Sequence, residues 1–201
     1  MNNIEEILEF HCPRFNELPH VPLYKDQVIM YIEDALKVIN INSDEKFLTP
    51  TMLNNYVKQK VVYPPKHKRY DEKHLAYLIV VCILKQVYTL NEICELIKIQ
   101  IGTCPIEQAY DFFCTELENS LRSIFTEGNF VRPSSAINTT LESEVVRATA
   151  SSFANKIFIQ KYLREREKNW NRKTRQRRWM FVEFFLISYN WQIAEFLKDP
   201  Y

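Results

Sequence analysis

The chain of 201 residues predicts a mostly helical fold: a small winged helix-turn-helix with a short β-hairpin wing, followed by long C-terminal helices. Three observations carry that expectation. Between Leu48 and Ile97 the local signals run helix, basic hairpin, buried helix, short capped helix. Downstream, apolar residues recur at helical spacing along two long stretches. Glycine is confined to Gly102 and Gly128, so Pro and Asn mark the breaks, and no glycine-rich phosphate loop can be built.

The elements follow in order. Residues 1–20 form a lead with Ile4, Ile7 and Leu8 on one side, ending at the breaks Pro13 and Pro19. Leu23 to Ile39 reads as a helix with Val28, Ile32, Ala35, Leu36 and Ile39 facing inward. The link Asn40 to Lys46 is longer than a tight helix-turn-helix turn. Thr49 caps the next helix and Pro50 suits its first turn, where a missing N–H is harmless. That helix runs to Gln59, with Leu53 and Val57 sharing a face. The β-branched pair Val61-Val62 and the helix-breaking Pro64-Pro65 begin the wing. Lys66-His67-Lys68-Arg69 form its basic tip, and Tyr70 closes it.

Asp71 caps a helix from Glu72 to Val87 that is apolar on nearly every side and therefore central. Thr89-Leu90-Asn91-Glu92 is a capping box opening a short helix to Lys98, with Ile93, Leu96 and Ile97 on one face. A long helix from Pro105 to Glu127 carries the stripe Ile106, Tyr110, Phe113, Leu117, Leu121 and Ile124. This stripe suits either core or pairing across a dimer. After the loop Asn129 to Thr139, a second long helix runs from Leu141 to Arg166. Its small-residue centre, Ala148 to Ala154, permits close helix approach. Residues 167–201 form a basic then aromatic-rich tail. There the basic run followed by Trp179 to Ile187 suits contact with anionic lipid or nucleic acid, but packing on the core or a partner suits so many aromatics better than exposure.

The layout resembles the DNA-binding domain of the MerR family of transcription regulators. Leu53-Asn54-Asn55-Tyr56 stands where that family has Leu-Arg-Tyr-Tyr. Val61-Val62-Tyr63-Pro64 stands for the start of the wing, and Lys68-Arg69-Tyr70-Asp71 for Arg-x-Tyr-Ser. Thr89-Leu90-Asn91-Glu92-Ile93 matches Ser-Leu-x-Glu-Ile. In this resemblance Leu23 to Ile39 is the first helix of the helix-turn-helix. Across about Phe10 to Leu163 the chain more closely resembles the uncharacterised bacterial domain-of-unknown-function 1836 family. The marks of that family are His11-Cys12-Pro13-Arg14, Glu17-Leu18-Pro19, Leu23-Tyr24-x-Asp26-Gln27-Val28, Asn54 to Lys58 and Ile83 to Val87. This second resemblance implies a MerR-like fold and no established activity. Three departures fall on the DNA-contacting features of MerR proteins: Asn54 replaces their Arg, the wing is short, and Val87-Tyr88 replaces a Gly.

Charge points to the same region. Net charge is +1, so affinity for nucleic acid must come from a local patch. Lys58, Lys60, Lys66, Lys68 and Arg69 lie between Val57 and Tyr70 with no acid among them. Acids dominate from Thr89 to Gly128. The expected DNA-contacting residues are Thr51, Asn54, Asn55 and Lys58 in the major groove and Lys66, Lys68 and Arg69 on phosphates. Tyr56 and Tyr70 suit phosphate contact or core packing equally.

The expected organisation is a lead (1–20), a MerR-like winged helix-turn-helix (21–100), a helical dimerisation or partner region (101–166) and the tail (167–201). The expected partners are double-stranded DNA and a second copy of the chain. The alternative is a non-catalytic interaction module on the same scaffold.

Catalytic signatures are missing. There is no His-x-x-x-His, no Cys-x-x-Cys, no serine nucleophile elbow and no carboxylate pair in an apolar setting. The chain is therefore expected to be neither an enzyme nor a binder of cofactor or metal. The N-terminus lacks a secretory pattern, so a cytoplasmic protein with free thiols is expected. Cys104, directly before Pro105 at a helix start, is the one candidate thiol sensor, with Cys94 and Cys114 on neighbouring helices.

Overall fold

A computed structural model describes residues 4–41, 45–126, 135–136 and 139–196, with side chains described as far as Trp170. The expected loop 129–139 falls largely outside these residues, and so do the side chains of Trp179 to Ile187. Seven α-helices are described: α1 (Ile4–Leu8), α2 (Lys25–Leu36), α3 (Pro50–Lys58), α4 (Glu72–Leu84), α5 (Leu90–Ile101), α6 (Ile106–Thr126) and α7 (Leu141–Phe196). Two short strands, β1 (Leu23–Tyr24) and β2 (Arg69–Tyr70), pair antiparallel, with Leu23 opposite Tyr70 and Tyr24 opposite Arg69. The chain divides into two compact units, 1–159 and 160–201, and α7 runs from the first into the second.

The capping chemistry read from sequence forms as expected. Thr49 Oγ1 accepts from Met52 N at 3.2 Å, with Pro50 in the first turn of α3. Asp71 Oδ1 accepts from His74 N at 3.1 Å. Thr89 and Glu92 exchange side-chain-to-backbone bonds at the start of α5. The central helix α4 is buried on several sides by Leu75, Leu78, Ile79, Val81, Cys82 and Ile83. Four exposed or half-buried residues, 85–88, separate it from Thr89.

Three expectations need correction. Residues 23–24 are a strand, not the first turn of a helix, and α2 ends at Leu36 with a tight turn over Lys37–Ile39. The wing is not a regular hairpin from Val61 to Tyr70. Pro64 and Pro65 have no N–H to give a ladder, so only the bridge between Lys66 and Arg69 closes the turn. Arg69–Tyr70 takes its strand partner from β1, some forty-five residues earlier. Lastly, the helix beginning at Leu141 continues to Phe196, well past Arg166.

The α6 stripe is core. Tyr110, Phe113, Leu117, Leu121 and Ile124 are all at most 5% exposed within a single chain. They pack with α1, α4, α5 and the first part of α7. On α7, Ala150 and Ala154 are buried, and Ser151 Oγ lies 3.2 Å from Ser120 Oγ, so the small-residue stretch does bring two helices close. The face that could have paired across a dimer is thus covered within the chain itself.

The lead segment is fixed to α6 by polar groups that sequence pattern does not reveal. Glu118, almost fully buried, accepts two bonds from the Arg14 guanidinium at 2.7 and 2.8 Å and one from Cys12 N at 2.9 Å. Asp111 accepts from Phe15 N at 2.7 Å, and Tyr110 donates to the Pro13 carbonyl at 2.8 Å. Burial by itself would raise the Glu118 pKa. The Arg14 fork and the Cys12 N–H outweigh it and hold the carboxyl below its usual value.

Candidate nucleic-acid interface

The sequence of α3 separates its two faces. Leu53 and Tyr56 are buried, whereas Thr51, Asn54, Asn55 and Lys58 are exposed at helical spacing. Four of the expected contacts therefore share one solvent face. Beyond Lys58 the chain closes with a Schellman motif: Val61 N bonds the Tyr56 carbonyl at 2.9 Å and Lys60 N bonds that of Val57 at 3.1 Å. The motif requires a left-handed residue, usually glycine. Here it is Lys60, at φ 58°.

The basic tip is a two-residue turn of the mirror-image type I′ kind. His67 and Lys68 have φ of 50° and 62°, and Arg69 N bonds the Lys66 carbonyl at 2.9 Å. Lys66, Lys68 and Arg69 are all exposed. Such turns favour Asn-Gly, because a Cβ at positive φ costs about 1 kcal/mol or more. Lys60, His67 and Lys68 are the only described non-glycine residues at positive φ. All three fall inside the acid-free stretch.

Arg69 is held in place. Its guanidinium donates to Tyr24 Oη at 2.8 Å and lies 4.6 Å from the centre of that ring. The base of the turn is locked from the other side. Tyr63 Oη donates to Asp71 Oδ1 at 2.8 Å, and His74 Nδ1 lies 2.5 Å from the same oxygen. The His74 ring is packed 3.8 Å from Tyr63 and 5.3 Å from Tyr70, centre to centre. Burial would raise the Asp71 pKa, but the Tyr63 hydroxyl and the bonds from His74 lower it below the usual value. Sequence reasoning missed Tyr24, Tyr63 and His74. A signal for Tyr24 did exist, since it belongs to the Leu23-Tyr24-x-Asp26-Gln27 mark, and Gln27 Oε1 accepts from Tyr24 N at 2.9 Å.

Two expected site residues do not reach solvent in a way that suits phosphate. Tyr56 is 1% exposed, its hydroxyl is enclosed without a partner, and burial raises its pKa well above the ordinary value. Tyr70 is 5% exposed, in β2 under the turn. Both are core residues that shape the site from below.

Cys104 is half-buried. Its thiol sits 3.7 Å from the Gln100 carbonyl at the end of α5, rather than on an N–H of α6. Cys114 is fully buried, and among the described residues no group of three metal-ligating side chains comes together. The thiol-sensor expectation therefore gains nothing from the geometry.

In the unit 160–201, Tyr162, Leu163 and Trp170 of α7 are each more than half exposed, and Lys161 pairs with Glu165 at 3.9 Å. No described helix is long and apolar enough to cross a membrane.

No curated protein and no solved structure matches the chain. The model of one family, the Domain of unknown function (DUF1836), matches residues 13–113. That span begins at the Pro13-Arg14 anchor, includes α3 and the basic turn, and ends within α6 at Phe113. The chain thus belongs to the DUF1836 family.

Proposed function

We propose that this chain is a MerR-like DNA-binding transcription regulator that reads duplex DNA with α3 and clamps phosphates with the Lys66–Arg69 turn. The observation that carries this reading is the strained basic tip. Two consecutive left-handed residues hold Lys66, Lys68 and Arg69 outward where glycine would relieve the backbone. Strain kept at an exposed cationic turn is better explained by an anionic partner than by folding. The α3 face adds Asn54 and Asn55, whose amides suit the paired donor and acceptor on adenine. Both elements pack on α2, as a helix-turn-helix with a wing requires.

DNA readers of this kind act on symmetric sites as dimers. With the α6 stripe buried, a self-association surface has to lie elsewhere. The exposed apolar residues Tyr162, Leu163 and Trp170 are the candidates for it.

A second reading, an interaction module that does not read DNA, is favoured by Asn54 in place of the MerR arginine and by the near-neutral net charge. Selection from a random duplex pool with purified protein at moderate salt separates the two. A regulator enriches one sequence, and Asn54→Ala or Asn55→Ala relaxes one position of it, at about 1–3 kcal/mol per lost base contact. The interaction module enriches none.

A further inference from the structure

Helices α4, α5, α6 and residues 145–149 of α7 line a half-open apolar pocket of about 70 Å³. Its walls include Val80, Leu84, Ile97, Ala109, Phe113 and Val146. The volume is about five times what a single water needs, so it accepts one aromatic ring or a short branched chain. No charged side chain lines it. Three of its four polar neighbours are already engaged, Tyr77 being the exception. The Tyr110 hydroxyl donates to the Pro13 carbonyl at 2.8 Å, and Thr149 Oγ1 donates to the Val146 carbonyl at 2.7 Å. Gln100 Nε2, at the α5 side, faces the Cys104 sulfur at 3.8 Å. A charged ligand would find no counter-charge here and would lose its hydration. A neutral apolar one would lose only contact with water.

An open apolar pocket leaves its lining in contact with water, and covering that surface is favourable. Two of the lining residues, Ala76 and Ala109, are small where a leucine would close the space. We propose that this pocket is a binding site for a neutral, apolar small molecule with about the bulk of one aromatic ring. The inference stands apart from the DNA reading, since the pocket uses none of the exposed α3 or turn residues.

The test uses the full chain with toluene as probe and benzoate, the same ring with a charge, as control. Toluene at several-fold excess over its Kd is expected to raise the melting temperature by about 2–4 °C and to shift the methyl NMR signals of Val80, Ile97 and Val146. Benzoate is expected to do neither. Ala109→Leu, which fills the space, is expected to bind toluene at least about tenfold more weakly. If that variant does not fold, Val80→Phe is read in its place. The proposal is overturned if toluene changes neither melting nor those methyl signals. It is equally overturned if benzoate binds as well as toluene, or if a folded filled variant binds toluene like the wild type.

Discussion

Arg14 and the lysines of the basic turn are cations in opposite circumstances. Arg14 lies against α6, bidentate to a buried carboxylate, with its neighbours' backbone groups drawn into the same network. Lys66 and Lys68 stand in solvent on a strained turn, and neither has an ion pair among the described residues. The first arrangement spends charge on holding the chain together. The second leaves charge unmatched and holds it outward at some loss of backbone stability. Two regions of the chain thus divide into an anchor and an exposed basic turn, the proposed interface, and substitutions should affect them in opposite ways.

The largest effect is expected at the anchor. Glu118→Ala leaves the Arg14 guanidinium without its carboxylate and the Cys12 N–H without a partner, at about 3–4 kcal/mol in urea unfolding. A loss below about 1 kcal/mol would mean that water replaces the carboxylate easily. The anchor is also acid-sensitive. The folded-state pKa of Glu118 is lowered from 4.5, so its contribution is complete above that value and is lost as pH falls through the lower folded one. The wild type should lose stability steeply in that range, and Glu118→Gln should flatten this part of the profile.

A comparable loss is expected in the helical core. Phe113→Ala should cost about 3–4 kcal/mol, and Phe113→Glu should fail to fold rather than give a folded monomer. A stable, monomeric Phe113→Glu would restore the stripe as an interface between copies.

Most of the fold was legible because its signals are local. Thr49-Pro50, Asp71 and Thr89 to Glu92 each start a helix through groups three residues apart, and α4 announces its burial by apolar residues on every side. What sequence could not show joins distant residues. The pairing of Leu23–Tyr24 with Arg69–Tyr70 and the Arg14–Glu118 bridge each span many residues, and no periodicity encodes such a contact. The candidate site divides the same way. Helical spacing placed Thr51, Asn54, Asn55 and Lys58 together, but it left open whether Tyr56 and Tyr70 face solvent, and the core claims both. The left-handed turn at His67-Lys68 was hidden because neither residue favours it, which is also why it is informative.

The smallest effects on stability are expected at the interface, and one of them has the opposite sign. Lys66→Ala should change unfolding free energy by no more than about 0.5 kcal/mol, because the side chain is exposed. Lys68→Gly relieves a positive-φ position and should stabilise the fold by up to about 1 kcal/mol while removing one cation. A destabilised Lys68→Gly would mean that the lysine side chain supports the turn and that the anchor–interface contrast is too sharp.

The central claim is that the unmatched cations of the turn meet phosphate, and the salt dependence of duplex binding tests it most directly. Each phosphate contact contributes about one to the slope of log affinity against log salt. For the Lys66→Ala, Lys68→Ala double variant, with stability first verified, the account predicts weaker binding to every duplex and a slope shallower by about two. Equal affinity and an unchanged slope in wild type and double variant would contradict it.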